Sequence, residues 1–120
     1  MSISNYLENK LLDAVAGTSY SAGARYVKLH LGDPGEAGTS NAATETTRKS
    51  VSFGSAASGS MTSSATVEWT NVAATETYSH WSIWDDPSAG NCLWSGGLSA
   101  SAAVTAGDTF QITSLTLSLD

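Results

Sequence analysis

The chain has 120 residues, 41% of them hydrophobic and 13% charged, which fits one small domain built around a single core. Five basic against eleven acidic residues give a net charge of -6, and the basic residues form no cluster, which argues against nucleic acid or an anionic membrane as a partner. A single cysteine, Cys92, excludes an intrachain disulfide and a thiolate metal cluster within one chain.

The N-terminal segment, residues 1–17, predicts one amphipathic helix. Leu7, Leu11 and Val15 recur every four residues, and Leu12 widens the apolar stripe. A lone helix at one end of a β-rich chain must pack either on its own sheet or on a neighbouring protein.

The ends of this helix carry recognisable signals. Asn5, followed three residues later by Glu8, resembles a capping box, and Gly17 can end the helix. The segment lacks the basic start and the continuous apolar run of a signal peptide, so we expect the chain to fold in the cytoplasm.

From residue 25 onward the hydrophobic period changes to two. In RYVKLHL, Val27, Leu29 and Leu31 alternate with polar or aromatic neighbours, as in a half-buried strand. Residues 32–46 then form a long polar loop with a turn signal at DPG. Loops of this length are usually functional, ordered by a partner or mobile.

Further alternating segments complete the β-rich region. They are RKSVSF, ATVEW, YSHWSIW, NCLWSGGL and the two C-terminal runs around FQI and LTLSL, with the small-residue run GSAASGSMTSS interpreted as a loop. Gly96 and Gly97 indicate a bulge or a close backbone approach. About seven short strands predict a mainly β fold, an antiparallel β-sandwich of jelly-roll or immunoglobulin-like type, or a small barrel. We expect a single domain, 1–120, with the β-sandwich in 25–120.

The aromatic segment YSHWSIW is bulky on both faces. Alternation places Trp81 and Ile83 on one face and Tyr78, His80 and Trp84 on the other. The strand is therefore either central in the fold, or packed on the core with one face and on a partner with the other. Large rigid rings next to small residues are typical of protein interfaces.

The sequence offers no pattern for catalysis or for a cofactor. His30 and His80 have no identifiable nucleophile or carboxylate partner, and neither a G-x-S-x-G elbow nor a histidine-rich metal pattern occurs. Asp85 and Asp86 match no calcium loop, and DDPSAGN reads as a hairpin turn. We predict a protein that is not an enzyme and has no catalytic, metal or cofactor site.

The order of the segments resembles a family of small tailed-bacteriophage proteins, commonly labelled phage tail fibre proteins, although some similar proteins are capsid decoration proteins. The resemblance covers essentially the whole chain. Its most specific parts are SNYLENKLLD, LHLGDPGEAGT, VSFGSAASG, WSIWDDPSAGNCLWSGGL and the close VTAGDTFQI with LTLSLD. The chain departs from the family where a Tyr-Ala-Arg run precedes the VSF strand, because TTRKSVSF keeps only Arg48.

The resemblance implies a non-enzymatic structural protein of the virion, assembled in the bacterial cytoplasm in many copies, as a trimer or another small ring. We expect its partners to be other virion proteins: the major capsid protein for a decoration protein, or tail proteins for a fibre. The predicted partner-binding residues lie on the helix and on the aromatic strands: Leu7, Leu11, Val15, Tyr78, His80, Trp84 and Trp94.

An alternative function is recognition of a glycan on the host surface. Exposed rings of Tyr78, Trp84 and Trp94 would stack on sugar rings, while Asp85 and Asp86 would accept hydrogen bonds from sugar hydroxyls.

Overall fold

A computed structural model describes residues 1–119. One helix follows a first short strand, and the rest of the chain is β-strands and loops. The elements, in chain order, are β1 Ser2–Ile3, α1 Asn5–Val15, β2 Tyr26–His30, β3 Lys49–Ser50, β4 Ser60–Thr62, β5 Val67–Trp69, β6 Glu76–Trp84, β7 Cys92–Val104, β8 Phe110–Ile112 and β9 Thr116–Ser118.

The strands form one five-stranded antiparallel sheet and two two-stranded ribbons. The order in the sheet is β1-β7-β6-β2-β3, and the ribbons are β4 with β9 and β5 with β8. The aromatic strand β6 therefore lies in the centre of the sheet. This position explains why its side chains are bulky on both faces, because a central strand is covered on both sides.

The first face of the sheet forms the core. Val27 pairs with Ile83, Leu29 pairs with Trp81, and Ile83 also pairs with Trp94. Val67, Trp69 and Ile112 from one ribbon and Leu117 from the other complete the same buried cluster. The sheet and the ribbons thus enclose apolar side chains between them, in a sandwich-like arrangement.

The register of β6 and β7 shifts next to the glycine pair. Tyr78 pairs with Ala102 but His80 pairs with Gly97, so β7 carries three more residues than β6 over this stretch. A Cβ atom on Gly96 would lie 2.6 Å from the Trp81 ring. The prediction that this pair marks a bulge or a close backbone approach is confirmed.

The mainly β fold with one N-terminal helix is confirmed, and the sheets are antiparallel as predicted. Nine strands are present among residues 1–119, against about seven predicted. The run interpreted as a loop contains β4, whose Met61 pairs with Leu117. Val51 and Phe53 lie just beyond the two-residue strand β3.

The predicted capping box is wrong. The N-cap is Ser4, whose Oγ accepts a hydrogen bond of 3.2 Å from the backbone N–H of Leu7. The residue three positions after this cap is Leu7, so Glu8 cannot close the box. At the other end, Gly17 has φ +106° and follows the C-cap Ala16, as predicted for the helix stop.

Candidate interaction surfaces

The apolar stripe of α1 is buried at one end and exposed at the other. Leu7 is 5% exposed and belongs to the core, and Leu11 is half-buried against it. Val15 is 88% exposed and Leu12 is 68% exposed. The first half of the helix therefore covers its own core, and the second half leaves two aliphatic side chains in solvent.

An apolar groove runs beside this helix, with a volume of about 270 Å³. Leu7 and Leu11 form part of its wall, and Leu119, which is 51% exposed, lies on its lining. Arg25 is the only charged residue among the described residues that line it. The groove is thus an uncovered continuation of the hydrophobic core.

The second face of the sheet is covered by the loop 32–46. Gly38 packs so closely that a Cβ atom there would lie 2.5 Å from Cys92 Sγ and 3.1 Å from the Trp84 ring. Burial of Cys92 raises the pKa of its thiol to about 11, which keeps the thiol protonated at neutral pH. The loop is ordered by packing on its own sheet.

Two buried or half-buried carboxylates fix the far end of this loop. Glu76 accepts hydrogen bonds of 3.1 Å from the backbone N–H groups of Thr44 and Glu45. The buried Glu45 accepts from the backbone N–H groups of Ala73, at 3.1 Å, and Thr47, at 3.2 Å. These bonds tie the end of the loop to the start of β6 and to the segment that contains Ala73.

A chain of buried hydrogen bonds joins the loop to the sheet through His30. Trp84 Nε1 donates to Ser82 Oγ at 2.8 Å, and Ser82 Oγ donates to His30 Nε2 at 2.7 Å. His30 Nδ1 donates to the carbonyl of Ser40 at 2.9 Å. A carbonyl can only accept, so Nδ1 of His30 carries a proton. Burial lowers the pKa of His30, which favours the neutral ring, in which Nε2 is the acceptor.

Arg48 holds the β6–β7 turn against the sheet. Its guanidinium lies 4.1 Å from the centroid of the Trp84 ring, and its Nη1 donates to the carbonyls of Asp86 at 2.9 Å and Ala89 at 2.8 Å. Stacking on the indole and two charge-assisted hydrogen bonds thus fix the turn to the sheet.

The turn itself uses its own carboxylates. Asp85 accepts from the backbone N–H of Asn91 at 2.7 Å. Asp86 accepts from the backbone N–H groups of Ser88 at 3.0 Å and Ala89 at 2.7 Å, and these bonds lower the pKa of Asp86. Among residues 1–119, no group of three His, Cys, Asp or Glu side chains is placed to hold a metal ion.

The seven predicted partner-binding residues differ widely in exposure. Leu7, Trp84 and Trp94 are 5 to 8% exposed and Tyr78 is fully buried. Beyond the register shift, the Tyr78 ring packs in the core, 5.1 Å from the centroid of Phe110. Half-buried His80 bonds to Ser79 Oγ at 2.8 Å. The side chains of Leu11, Val15 and His80 can therefore reach a partner directly.

Sequence reasoning left out several residues that shape these surfaces. Ser82 carries a signal that could have revealed it, because a serine between bulky residues on a central strand must hydrogen-bond. The position of Arg48 over Trp84 has no signal in the sequence, since the two lie 36 residues apart. Arg25 and Leu119 join the groove only through the tertiary fold.

The described helix is too short and too polar to cross a membrane. Residues 2–120 match the family model described as podophage GP4 fiber I protein gp80, which covers nearly the whole chain. No curated protein matches the chain.

Proposed function

Because the chain belongs to the podophage GP4 fiber I protein gp80 family, and is therefore a phage virion structural protein of fibre type, we propose that it is a non-enzymatic component of the virion exterior. More specifically, it acts as a capsid decoration protein that docks on the major capsid protein.

The architecture of the chain is the observation that favours capsid decoration over a fibre. Its Cα atoms extend over 47 × 25 × 23 Å, and residues 1–119 contain a single helix of eleven residues and strands of at most thirteen residues around one buried cluster. A fibrous shaft needs a coiled coil or a repeated β-structure along its length. The described part of the chain has neither, which supports decoration over a fibre shaft.

The second candidate is a tail fibre or tail-tip component, and it is compatible with the word fiber in the description of the matching family. A glycan site on the aromatic strands would lack accessible rings, because Tyr78 and Trp94 are buried in the core. Asp85 and Asp86 accept hydrogen bonds within their own turn. A fibre of this kind would therefore contact the host through other residues.

The partner-binding surface of the proposal has two parts. Val15 and the half-buried Leu11 present aliphatic groups at the end of α1, and His80 presents a polar ring on the second face of the sheet. The other four predicted partner-binding residues are buried: Leu7, Tyr78, Trp84 and Trp94. We place the contacts with neighbouring proteins of the virion, further copies of this chain included, at these parts and expect many copies per particle.

Immunogold labelling of intact particles, with antibody against this chain, tests the proposal. Gold spread over the head is expected, and particles assembled without the protein provide the control. Gold confined to the tail or its tip would replace decoration with the fibre candidate. Absence of gold from particles that contain the protein by mass spectrometry would contradict a place on the exterior.

A further inference from the structure

One face of α1 carries an exposed stripe with a single charge. Glu8, Leu12 and Val15 stand four and three residues apart, so they lie on the same side of the helix. All three are exposed, and the two aliphatic side chains are among the most exposed large hydrophobic residues of the chain. Exposed apolar side chains on one helix face, next to an apolar groove, are typical of an interaction site.

The groove beside the helix matches this stripe in character. Its lining is apolar apart from Ser60, the hydroxyl of Tyr20 and Arg25. The charge of Arg25 is opposite to that of Glu8. The two aliphatic side chains of the stripe can pack on the apolar lining of the groove. The carboxylate of Glu8 can then pair with the guanidinium of Arg25. Both patches belong to the same chain, so a second copy supplies the complement of each.

We propose that the Glu8–Leu12–Val15 stripe of one copy packs into the groove of a second copy, with Glu8 paired to Arg25. The contact joins two different patches, so its repetition builds either a closed ring or an open filament, and the proposal takes the form of a small ring. The inference rests on the proposed role of a virion component present in many copies, and it names the partner of the helix surface as the chain itself. The second face of the sheet around His80 is then left for other virion proteins.

The first experiment measures the mass of the purified full-length chain by sedimentation velocity over a wide range of concentrations. The native chain is expected to form a closed oligomer. Val15→Asp is expected to weaken association at least about tenfold, because the aspartate would be buried without a partner. Ala14→Asp is the matched control. It adds the same charge at an exposed position about 100° around the helix, and association should persist.

The second experiment tests the ion pair by charge reversal. Glu8→Arg and Arg25→Glu should each weaken the oligomer, and the double variant Glu8→Arg/Arg25→Glu should restore it. Thermal unfolding of every variant separates loss of association from loss of folding. A double variant that stays as weak as the single variants overturns the pairing.

A native chain that remains monomeric at every concentration overturns the proposal, as does an oligomer that Val15→Asp leaves unchanged. These outcomes are independent of where gold falls on the particle. A decoration protein and a tail component can both self-associate, so the failure of one proposal is distinguishable from the failure of the other.

Discussion

The hydroxyl of Tyr78 is buried without a hydrogen-bond partner among residues 1–119. Burial raises its pKa to about 12, with smaller contributions from Glu76 and Glu45. An unsatisfied buried hydroxyl costs about 1–3 kcal/mol. Removing the oxygen in Tyr78→Phe keeps the ring contact with Phe110 and should therefore increase the free energy of unfolding by about 1 kcal/mol. Urea denaturation measures the change, and a decrease would reveal a partner that stabilises the hydroxyl.

The neutral state of His30 makes stability depend on pH. Burial lowers its pKa below the ordinary value of 6.5, and Lys28 and His80 lower it further. As pH falls through 6.5, His30 becomes protonated in the unfolded chain while it stays neutral in the folded chain. The contribution of His30 is thus complete above this pH and declines as pH falls toward the lowered pKa of the folded state.

His30→Gln isolates this contribution from the rest of the titration. Urea unfolding of both proteins across about pH 5 to 8 should show a stability difference that is largest at neutral pH and shrinks as the solution is acidified. The difference cancels carboxylates and His80, which both proteins keep. A difference that is constant with pH would mean that His30 titrates alike in the folded and unfolded states.

At the scale of elements, the loop 32–46 behaves as part of the fold. It covers Trp84 and Cys92 through Gly38, and it accepts a hydrogen bond from His30 at Ser40. Its long polar sequence favoured a partner-ordered or mobile segment. A sequence cannot show that one glycine in such a loop fits against an indole and a thiol, because that contact is created by folding.

Two glycines of this loop provide a matched pair for measuring the contact. Gly35 and Gly38 have similar φ values, +76° and +71°, so alanine is strained at both. A Cβ atom at Gly35 finds only Ser40 Oγ at 3.8 Å, whereas at Gly38 it meets Cys92 Sγ at 2.5 Å. We expect Gly35→Ala to cost about 1 kcal/mol and Gly38→Ala about 1–3 kcal/mol more, by thermal or urea unfolding. An equal loss of unfolding free energy in the two variants would mean that Gly38 is not in close contact with the sheet.

The sequence predicted those elements whose signal is local. The helix, the strand β6 with its bulky faces and the glycine-marked register shift all follow from patterns within a few residues. The strand β4 was not predicted, because Met61 is the only large apolar side chain in its three residues. Its β-structure depends on pairing with β9, more than 50 residues away, and no local pattern encodes that pairing.

At the scale of the whole molecule, the sequence predicted which residues could form an interaction surface, but not which of them are exposed. Exposure depends on the tertiary fold, which no local pattern encodes. Periodicity identified the stripe of Leu7, Leu11 and Val15, but not the point along α1 where the core ends. Aromatic composition suggested a surface around Tyr78 and Trp94, and both rings are buried instead. Exposure depends on which other segments cover a side chain, so a strand in the centre of a sheet uses its aromatic residues for the core.

The boundary along α1 gives a prediction for the assembled particle. Leu7 is enclosed in the core, so Leu7→Asp should unfold the chain, because it buries a charge without a partner. Val15→Asp should leave the melting temperature almost unchanged, since its side chain is 88% exposed, yet remove the chain from the virion. Particles assembled without the native protein and supplied with each variant, then purified and quantified by mass spectrometry, give the readout. A Val15→Asp variant incorporated at the native level would show that the end of the helix faces solvent in the particle.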